Sequence, residues 1–207
     1  MSTIENMKLL AIALAVALSC LAQVPEPDKG KSLGTPSAPI TIEVFSDFTC
    51  PHCKHFHEAE LPALMRDYVS KNKVYLVMRD FPLTGQGHQY SRMAATYATA
   101  AARIGKYTPV ADALFANQDF TKPTSWVMTG LVWQCVASVL TVADQAKVQA
   151  LAKDPGVVAE VERELQEGMS TGVNSTPTLV VNRDGKRFPV PSTVDYSLLR
   201  QFLDAPK

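Results

Sequence analysis

Two cysteines separated by two residues, in the sequence Cys50-Pro51-His52-Cys53, are the side chains best suited to chemistry. Because proline is favoured at the first position of a helix, this spacing predicts that Cys50 caps a helix beginning at Pro51. The Cys50 sulfur would then face the free backbone N–H groups of the first turn, which favour the thiolate together with the helix dipole. A protonated His52 would act in the same direction. The pattern predicts a pair that cycles between dithiol and disulfide, with Cys53 resolving a mixed disulfide at Cys50.

The cysteine pair has three alternative interpretations: a zinc site, a copper site and an inert disulfide. A bare pair at this spacing also occurs in zinc sites, but here one pair follows a strand and opens an amphipathic helix, which favours the redox interpretation. A copper site on Cys50, Cys53 and His57 is an alternative, since thiolate and imidazole ligands suit copper. A peptide-binding module with an inert disulfide is a third, although so small a ring constrains little of the unfolded chain.

The other cysteine and histidine residues outside the N-terminal segment are predicted to have no direct part in this chemistry. Cys135 lies in an apolar helical segment and is predicted to be simply buried, with a sensor or intermolecular thiol as the alternative. His55 and His57 are predicted to be partly exposed residues that raise the local positive potential. His88 is predicted to be a helix cap or a surface group.

The first 22 residues have the composition of a secretory signal peptide. Lys8 precedes an apolar run over residues 9–18, and small residues follow. The run is short for a membrane-spanning helix. Export predicts a periplasmic or other extracytoplasmic location, where disulfides persist. The sequence Leu18-Ser19-Cys20 is similar to the end of a lipoprotein signal, so a lipidated Cys20 that anchors the protein is the alternative to its removal.

Length and charge limit the protein's class. The chain has 207 residues, enough for one domain or for one domain with an inserted sub-domain. Its 20 basic and 20 acidic side chains give a formal net charge of zero, and the two signs are well mixed. Nothing in this balance points to nucleic acid or to an anionic membrane surface.

The pattern of apolar residues positions the cysteine pair between a strand and a helix. A strand is predicted over 39–46, and a helix containing Phe56, Leu61 and Leu64 follows the pair, with a kink at Pro62. Further elements are predicted downstream: a strand over 73–79, helices over 91–104, 109–117, 125–140, 143–151 and 157–167, a hairpin over 179–190, and a helix over 195–203. This order predicts a mixed sheet with an all-helical insertion.

Two motifs carry a resemblance to a known family. The segment from Phe45 to Cys53 resembles the active-site strand and turn of the DsbA-like branch of the thioredoxin superfamily. The sequence Ser175-Thr176-Pro177-Thr178 resembles the cis-proline loop of that family. The similarity runs from about residue 37 to the C-terminus. It implies the α/β class: a thioredoxin fold, in which a mixed central sheet is flanked by helices, with an inserted all-helical sub-domain.

Composition and the resemblance together predict the domain organisation. From composition, residues 1–22 would be the signal peptide and 23–36, in a segment rich in Pro, Gly, Ser and Lys, a linker. Residues 37–84 and 172–207 would form the two halves of the thioredoxin domain, and 85–171 the helical insertion between them.

The resemblance implies a role for each motif residue. Cys50 would be the attacking thiol and Cys53 its partner. Pro177 would be cis and pack beside the disulfide, and Thr176 would offer strand-like hydrogen bonds to a substrate peptide. His52 would tune the reduction potential. No cofactor and no metal would be needed.

The implied activity is that of a dithiol oxidase that introduces disulfides into exported proteins. Its partners would be unfolded or reduced exported proteins and a membrane redox partner that reoxidises it, with no nucleic acid. A reductase or isomerase of the same fold is the alternative, because Thr176 before the proline also occurs in such enzymes. Isomerases generally need a dimer, and no dimerisation domain is visible in the short segment before residue 40, so a monomer is expected.

The sequence departs from the family at one position. Many relatives carry a buried acid six residues before the first cysteine, where this chain has Val44. The neighbouring Glu43 would point to the opposite face of the strand. The usual internal proton acceptor is therefore predicted to be missing or replaced.

Overall fold

The structure is a computed structural model that describes residues 30–191 and 195–205. The predicted signal peptide, including Cys20, lies outside these residues. None of the helices in these two ranges combines the length and the apolar character needed to cross a membrane.

The centre of the fold is a five-stranded mixed sheet. Its strands, in chain order, are β1 (Ser32–Leu33), β2 (Ile40–Ser46), β3 (Val74–Asp80), β4 (Thr178–Arg183) and β5 (Lys186–Pro191). They lie side by side in the order β1-β3-β2-β4-β5. Strands β2 and β3 are parallel, and every other neighbouring pair is antiparallel. The mixed sheet predicted from the sequence is therefore confirmed.

Helices surround this sheet. In chain order they are α1 (Pro51–His55), α2 (Leu61–Asp67), α3 (Ser91–Ala102), α4 (Tyr107–Ala116), α5 (Trp126–Thr129), α6 (Val132–Ala137), α7 (Val142–Leu151), α8 (Pro155–Ser170) and α9 (Tyr196–Asp204). Helices α3 to α8 all lie between β3 and β4 in the chain, so an all-helical segment is inserted between the strands of the sheet.

Strand β2 delivers the chain to the cysteine pair. Its β-branched and aromatic residues suit a central strand, and Ile42, Val44 and Phe45 are fully buried. Ile42 and Val44 belong to the main core, whereas Phe45 packs with Phe81 in a second cluster. Because both faces of β2 are covered, its C-terminal end holds the following turn in a fixed place.

The helix after the cysteines, predicted to kink at Pro62, is irregular just before that residue. A π-helical turn, Phe56–Glu60, separates α1 from α2, and the N–H of Leu61 bonds the carbonyl of Phe56 five residues earlier. Pro62 has no N–H to donate, so the chain cannot continue a regular ladder through this point.

The prediction of a linker over 23–36 is wrong for residues 30–36, the part of this segment that the structure describes. Ser32–Leu33 is an edge strand paired with β3. Lys31 beside it is 1% exposed and donates to Asp80 at 2.7 Å and to Glu164 at 2.9 Å. A two-residue strand has no periodicity to detect, and the partners of Lys31 lie 49 and 133 residues away along the chain.

Two predicted helix boundaries also need correction. The predicted helix 125–140 is two helices, because Gly130 adopts a left-handed conformation with φ of 74° and ends α5. The helix predicted over 157–167 instead begins at Pro155, so residues 155–156 open α8. Asp154 accepts a hydrogen bond from the N–H of Gly156, and Pro155 occupies the first turn, where it costs no hydrogen bond.

Candidate active site

Cys50 occupies the position that the sequence predicts, at the N-cap of α1 with Pro51 as the first helical residue. Its backbone is extended, with φ of −84° and ψ of 121°. The side chain is only 6% exposed. The thiols of Cys50 and Cys53 are both free, so the structure shows the dithiol state.

The thiol of Cys50 is strongly acidic. A hydrogen bond from the Cys53 thiol is the largest cause that lowers the pKa of Cys50, from 9.0 to about 5, while burial opposes it. The hydroxyl of Thr176 and the backbone N–H groups of Cys53 and His52 lower this pKa further. These donors favour the thiolate, which is the nucleophile in thiol–disulfide exchange.

The thiol of Cys53 behaves in the opposite way. It is fully buried, and burial is the largest cause that raises its pKa well above 9.0, followed by the nearby Cys50 sulfur. The N–H of Asp47 lies 3.4 Å from the Cys53 sulfur and offsets a part of this shift. One thiol of the pair is thus poised as an anion and the other as a protonated group.

The cis-proline loop lies against Cys50. The Thr176–Pro177 peptide bond is cis, and both residues are buried. The Cys50 sulfur lies 3.4 Å from the carbonyl oxygen of Thr176, although the two residues are 126 positions apart in the chain. The structure therefore brings together the two motifs on which the resemblance rests. The side chain of His52 is exposed beside them.

A family model described as thioredoxin matches residues 27–205. The chain belongs to the thioredoxin family. Within that superfamily it is DsbA-like, as its active-site turn and its helical insertion between β3 and β4 indicate.

Individual proteins resemble this DsbA-like chain along most of its length. Disulfide bond formation protein D of Bacillus subtilis is 28% identical over 155 residues, which cover 72% of the chain and 66% of that protein. The crystal structure of oxidised BdbD from Bacillus subtilis superposes with a TM-score of 0.68 at 24% identity, covering 85% of this chain and 92% of that one. The Na(+)/H(+) antiporter NhaA 3 of Salinispora tropica is 30% identical over 82% of the chain, which spans only 24% of the antiporter.

The position of the usual buried acid is apolar in this DsbA-like chain. Val44 is fully buried in the core. Glu43 accepts a hydrogen bond from Arg79 at 3.0 Å and is also paired with Arg187. Glu43 is therefore committed to two arginines and does not replace the missing acid.

A buried carboxylate that the sequence analysis did not single out lies behind the pair instead. Asp47 is 2% exposed and accepts hydrogen bonds from the N–H and hydroxyl of Thr49, the hydroxyl of Ser91 and the N–H of Leu83, at 2.7 to 2.9 Å. His88, predicted to be a cap or surface group, places Nδ1 2.6 Å from the Thr49 hydroxyl and 3.4 Å from Asp47. The sequence signal that could have identified this site is Asp47 itself, an acidic residue directly after the apolar strand β2.

The structure does not assemble the alternative copper site. His57 Nε2 lies 2.7 Å from Asp112, and its ring packs on Phe115 with centroids 4.7 Å apart. Across residues 30–191 and 195–205, no three His, Cys, Asp or Glu side chains form a group that could hold a metal ion. His55 is exposed, 3.9 Å from the carboxylate of Glu60.

Cys135 is half-buried, whereas the sequence predicts a buried residue. Its thiol donates to the carbonyl of Ala113 at 3.3 Å. Burial raises the pKa of Cys135 to about 11, so its thiol is protonated at neutral pH and is a weak nucleophile. Cys135 also lines a cavity of about 340 Å³ beside the end of α4.

Proposed function

We propose that this protein is a dithiol oxidase that introduces disulfides into reduced exported proteins through Cys50 and Cys53. The observation that carries the proposal is the opposite ionisation of the two thiols. A pKa of about 5 for Cys50 stabilises the reduced pair as a thiolate, and the disulfide has no equivalent charge to stabilise. Reduction of the pair is therefore favoured, which makes the disulfide an oxidant.

The first step forms a mixed disulfide at Cys50. A substrate thiolate attacks the Cys50 sulfur of the oxidised pair, and the bond between Cys50 and Cys53 breaks. The electron pair passes to the Cys53 sulfur, which takes up a proton because burial raises its pKa. Thr176 and Pro177 would hold the substrate chain beside the sulfur, with the backbone of Thr176 offering strand-like hydrogen bonds.

The second step releases the oxidised substrate. A second substrate thiol, as its thiolate, attacks the substrate sulfur of the mixed disulfide, and Cys50 leaves as a thiolate. The low pKa of Cys50 makes it a good leaving group. The substrate loses two electrons and the cysteine pair gains them. A membrane redox partner would then remove these two electrons and restore the disulfide.

Export supports this direction of reaction. The predicted signal peptide would take the protein to the periplasm or another extracytoplasmic compartment, where disulfides persist. Mass spectrometry of the mature N-terminus distinguishes cleavage after the signal from lipidation of Cys20. A lipid on Cys20 would anchor the oxidase at the membrane that holds its redox partner.

The test is transfer of a disulfide to a reduced, unfolded protein with two cysteines. We expect the oxidised protein to oxidise this substrate stoichiometrically, and Cys50→Ser to abolish the transfer. Cys135→Ser is the matched control and should transfer as the wild type does. An oxidised wild-type protein that leaves the substrate reduced, while its dithiol form reduces substrate disulfides, would instead identify a reductase.

A further inference from the structure

One of the contacts between the helical insertion and the active-site turn is made by a buried side-chain amide. Gln118 lies just beyond the end of α4 and is 4% exposed. Its Nε2 donates to the carbonyl oxygen of Phe48 at 2.6 Å and to that of Cys50 at 3.1 Å. The two amide hydrogens are thus directed to two carbonyl groups of the turn that presents the reactive sulfur.

A second contact runs in the reverse direction. Lys54, on α1, donates from Nζ to the carbonyl oxygen of Gln118 at 3.0 Å and to that of Ala116 at 3.4 Å. The backbone N–H of Lys54 also bonds the carbonyl oxygen of Cys50 at 3.1 Å. The segment after α4 and the segment from Phe48 to Lys54 are therefore joined by side-chain hydrogen bonds from both sides.

These contacts bear on the charge of Cys50. Carbonyl oxygens carry partial negative charge, and two of them, from Phe48 and from Cys50 itself, belong to the turn whose sulfur becomes an anion. A hydrogen bond from the positive end of the Gln118 amide offsets that charge in a site where the dielectric constant is low. One of these bonds is made to the carbonyl group of Cys50, in the same turn as the N–H groups of His52 and Cys53 that lower the pKa of the Cys50 thiol.

We propose that Gln118 is a positioning residue for the redox reaction: its amide holds the carbonyl groups of Phe48 and Cys50 so that the Cys50 thiolate is favoured. This inference rests on the proposed function of the cysteine pair. It makes the helical insertion a part of the machinery that sets the oxidising strength of the pair, through a contact 68 residues away in the chain.

The test compares Gln118 with a chemically matched glutamine in the same insertion. Gln145 also donates from Nε2 to two carbonyl oxygens, those of Ala137 at 3.0 Å and Leu140 at 3.1 Å, and neither belongs to the active-site turn. Gln118→Met keeps the length of the side chain and removes both donors, and Gln145→Met makes the same change at the control site. Gln118→Glu keeps the shape and replaces the donors with acceptors.

The readout is the thiolate fraction of Cys50, from ultraviolet absorbance and from the rate of alkylation, in a Cys135→Ser background. The measurement is made about one pH unit below the wild-type midpoint. We expect Gln118→Met, which removes the hydrogen bonds to Phe48 and Cys50, to lower the thiolate fraction about threefold to tenfold, a change on the scale of the net free energy of one hydrogen bond. Gln118→Glu should lower it at least as far, and Gln145→Met should leave it unchanged. The equilibrium with glutathione should shift toward the oxidised pair by the same factor.

An unchanged thiolate fraction in a folded Gln118→Met protein would overturn the inference. An equal fall in Gln145→Met would do so too. Failure of both Gln118 variants to fold would make this side chain a requirement of the fold and would also contradict a positioning role. The proposed function fails separately: if the wild-type protein does not oxidise dithiols, the thiolate fractions still show whether Gln118 acts on Cys50.

Discussion

The thiol of Cys50 gains its acidity from neighbours that stabilise the thiolate, and this acidity predicts a specific pH dependence. When glutathione reduces the pair, Cys50 releases its proton at any pH above about 5. The equilibrium constant for reduction should therefore rise about tenfold per pH unit from pH 5 toward the ordinary thiol range, and should be flat below pH 5. Titration with glutathione buffers at several pH values in this range measures the equilibrium constant. A constant that does not change between pH 5 and 8 would contradict the acidity of Cys50.

Asp47 predicts a second effect at the scale of one residue. Asp47→Asn replaces an acceptor of four hydrogen bonds with a group that also carries donors, and these would face the N–H of Leu83 and the hydroxyls of Thr49 and Ser91. We expect the free energy of unfolding in urea to fall by about 2–4 kcal/mol.

Asp119 supplies the matched control for Asp47. It makes the same local pattern, accepting from the N–H and the hydroxyl of Thr121 two residues later, but on the surface. Asp119→Asn should cost much less stability. Equal losses at the two positions would mean that the network of Asp47 with Ser91 and Leu83 contributes nothing beyond the local turn.

At the scale of elements, helix α8 approaches the sheet closely at Gly168. A Cβ atom there would lie 2.7 Å from Phe81 and 2.9 Å from Phe45, whose rings pack edge to face. Gly168→Ala should therefore lower the free energy of unfolding by about 1–3 kcal/mol despite the better helix propensity of alanine. Gly156→Ala, in the first turn of the same helix, meets only the end of the Asp154 side chain and should be close to neutral. A neutral Gly168→Ala would show that α8 can move away from the sheet.

Elements with a local sequence signal could be predicted, and contacts between elements could not. The strand before the cysteines, the Cys50 cap and the hairpin all depend on neighbouring residues. The contact of Gln118 with Cys50 and that of Asp47 with Ser91 join residues 68 and 44 positions apart, and no periodicity reports them. The loop at Thr176 is 126 positions from Cys50, and its place could be predicted only because the resemblance supplied its motif.

At the scale of the whole molecule, Lys31 connects the start of the described chain to the sheet and to α8 through ion pairs. It is buried between Asp80 of β3 and Glu164 of α8. Lys31→Met would remove this cation from Asp80 and leave Glu164 facing Arg79, whose Nη1 lies 3.6 Å from its carboxylate, and we expect a loss of about 3–5 kcal/mol in unfolding free energy near neutral pH. Lys147→Met, at an exposed site, is the control.

The loss in Lys31→Met should also depend on pH. Burial already raises the pKa of Glu164 to about 7 with Lys31 present, and removal of the cation would raise it further. A protonated carboxyl group is neutral and needs no cation. The difference in unfolding free energy between Lys31→Met and the wild type should therefore shrink as pH falls through that range. A difference in unfolding free energy that grows toward acid pH would contradict the role of Lys31 as the cation that stabilises the ionised Glu164.

The reduction potential of the Cys50–Cys53 pair in glutathione buffers directly tests whether this protein is a dithiol oxidase. The acidic Cys50 and the protonated Cys53 predict a value near about −120 mV, at the strongly oxidising end of the range for such pairs. A value near about −270 mV would contradict the account, because a pair that prefers its disulfide form cannot drive the oxidation of substrate dithiols and would be suited to reduction.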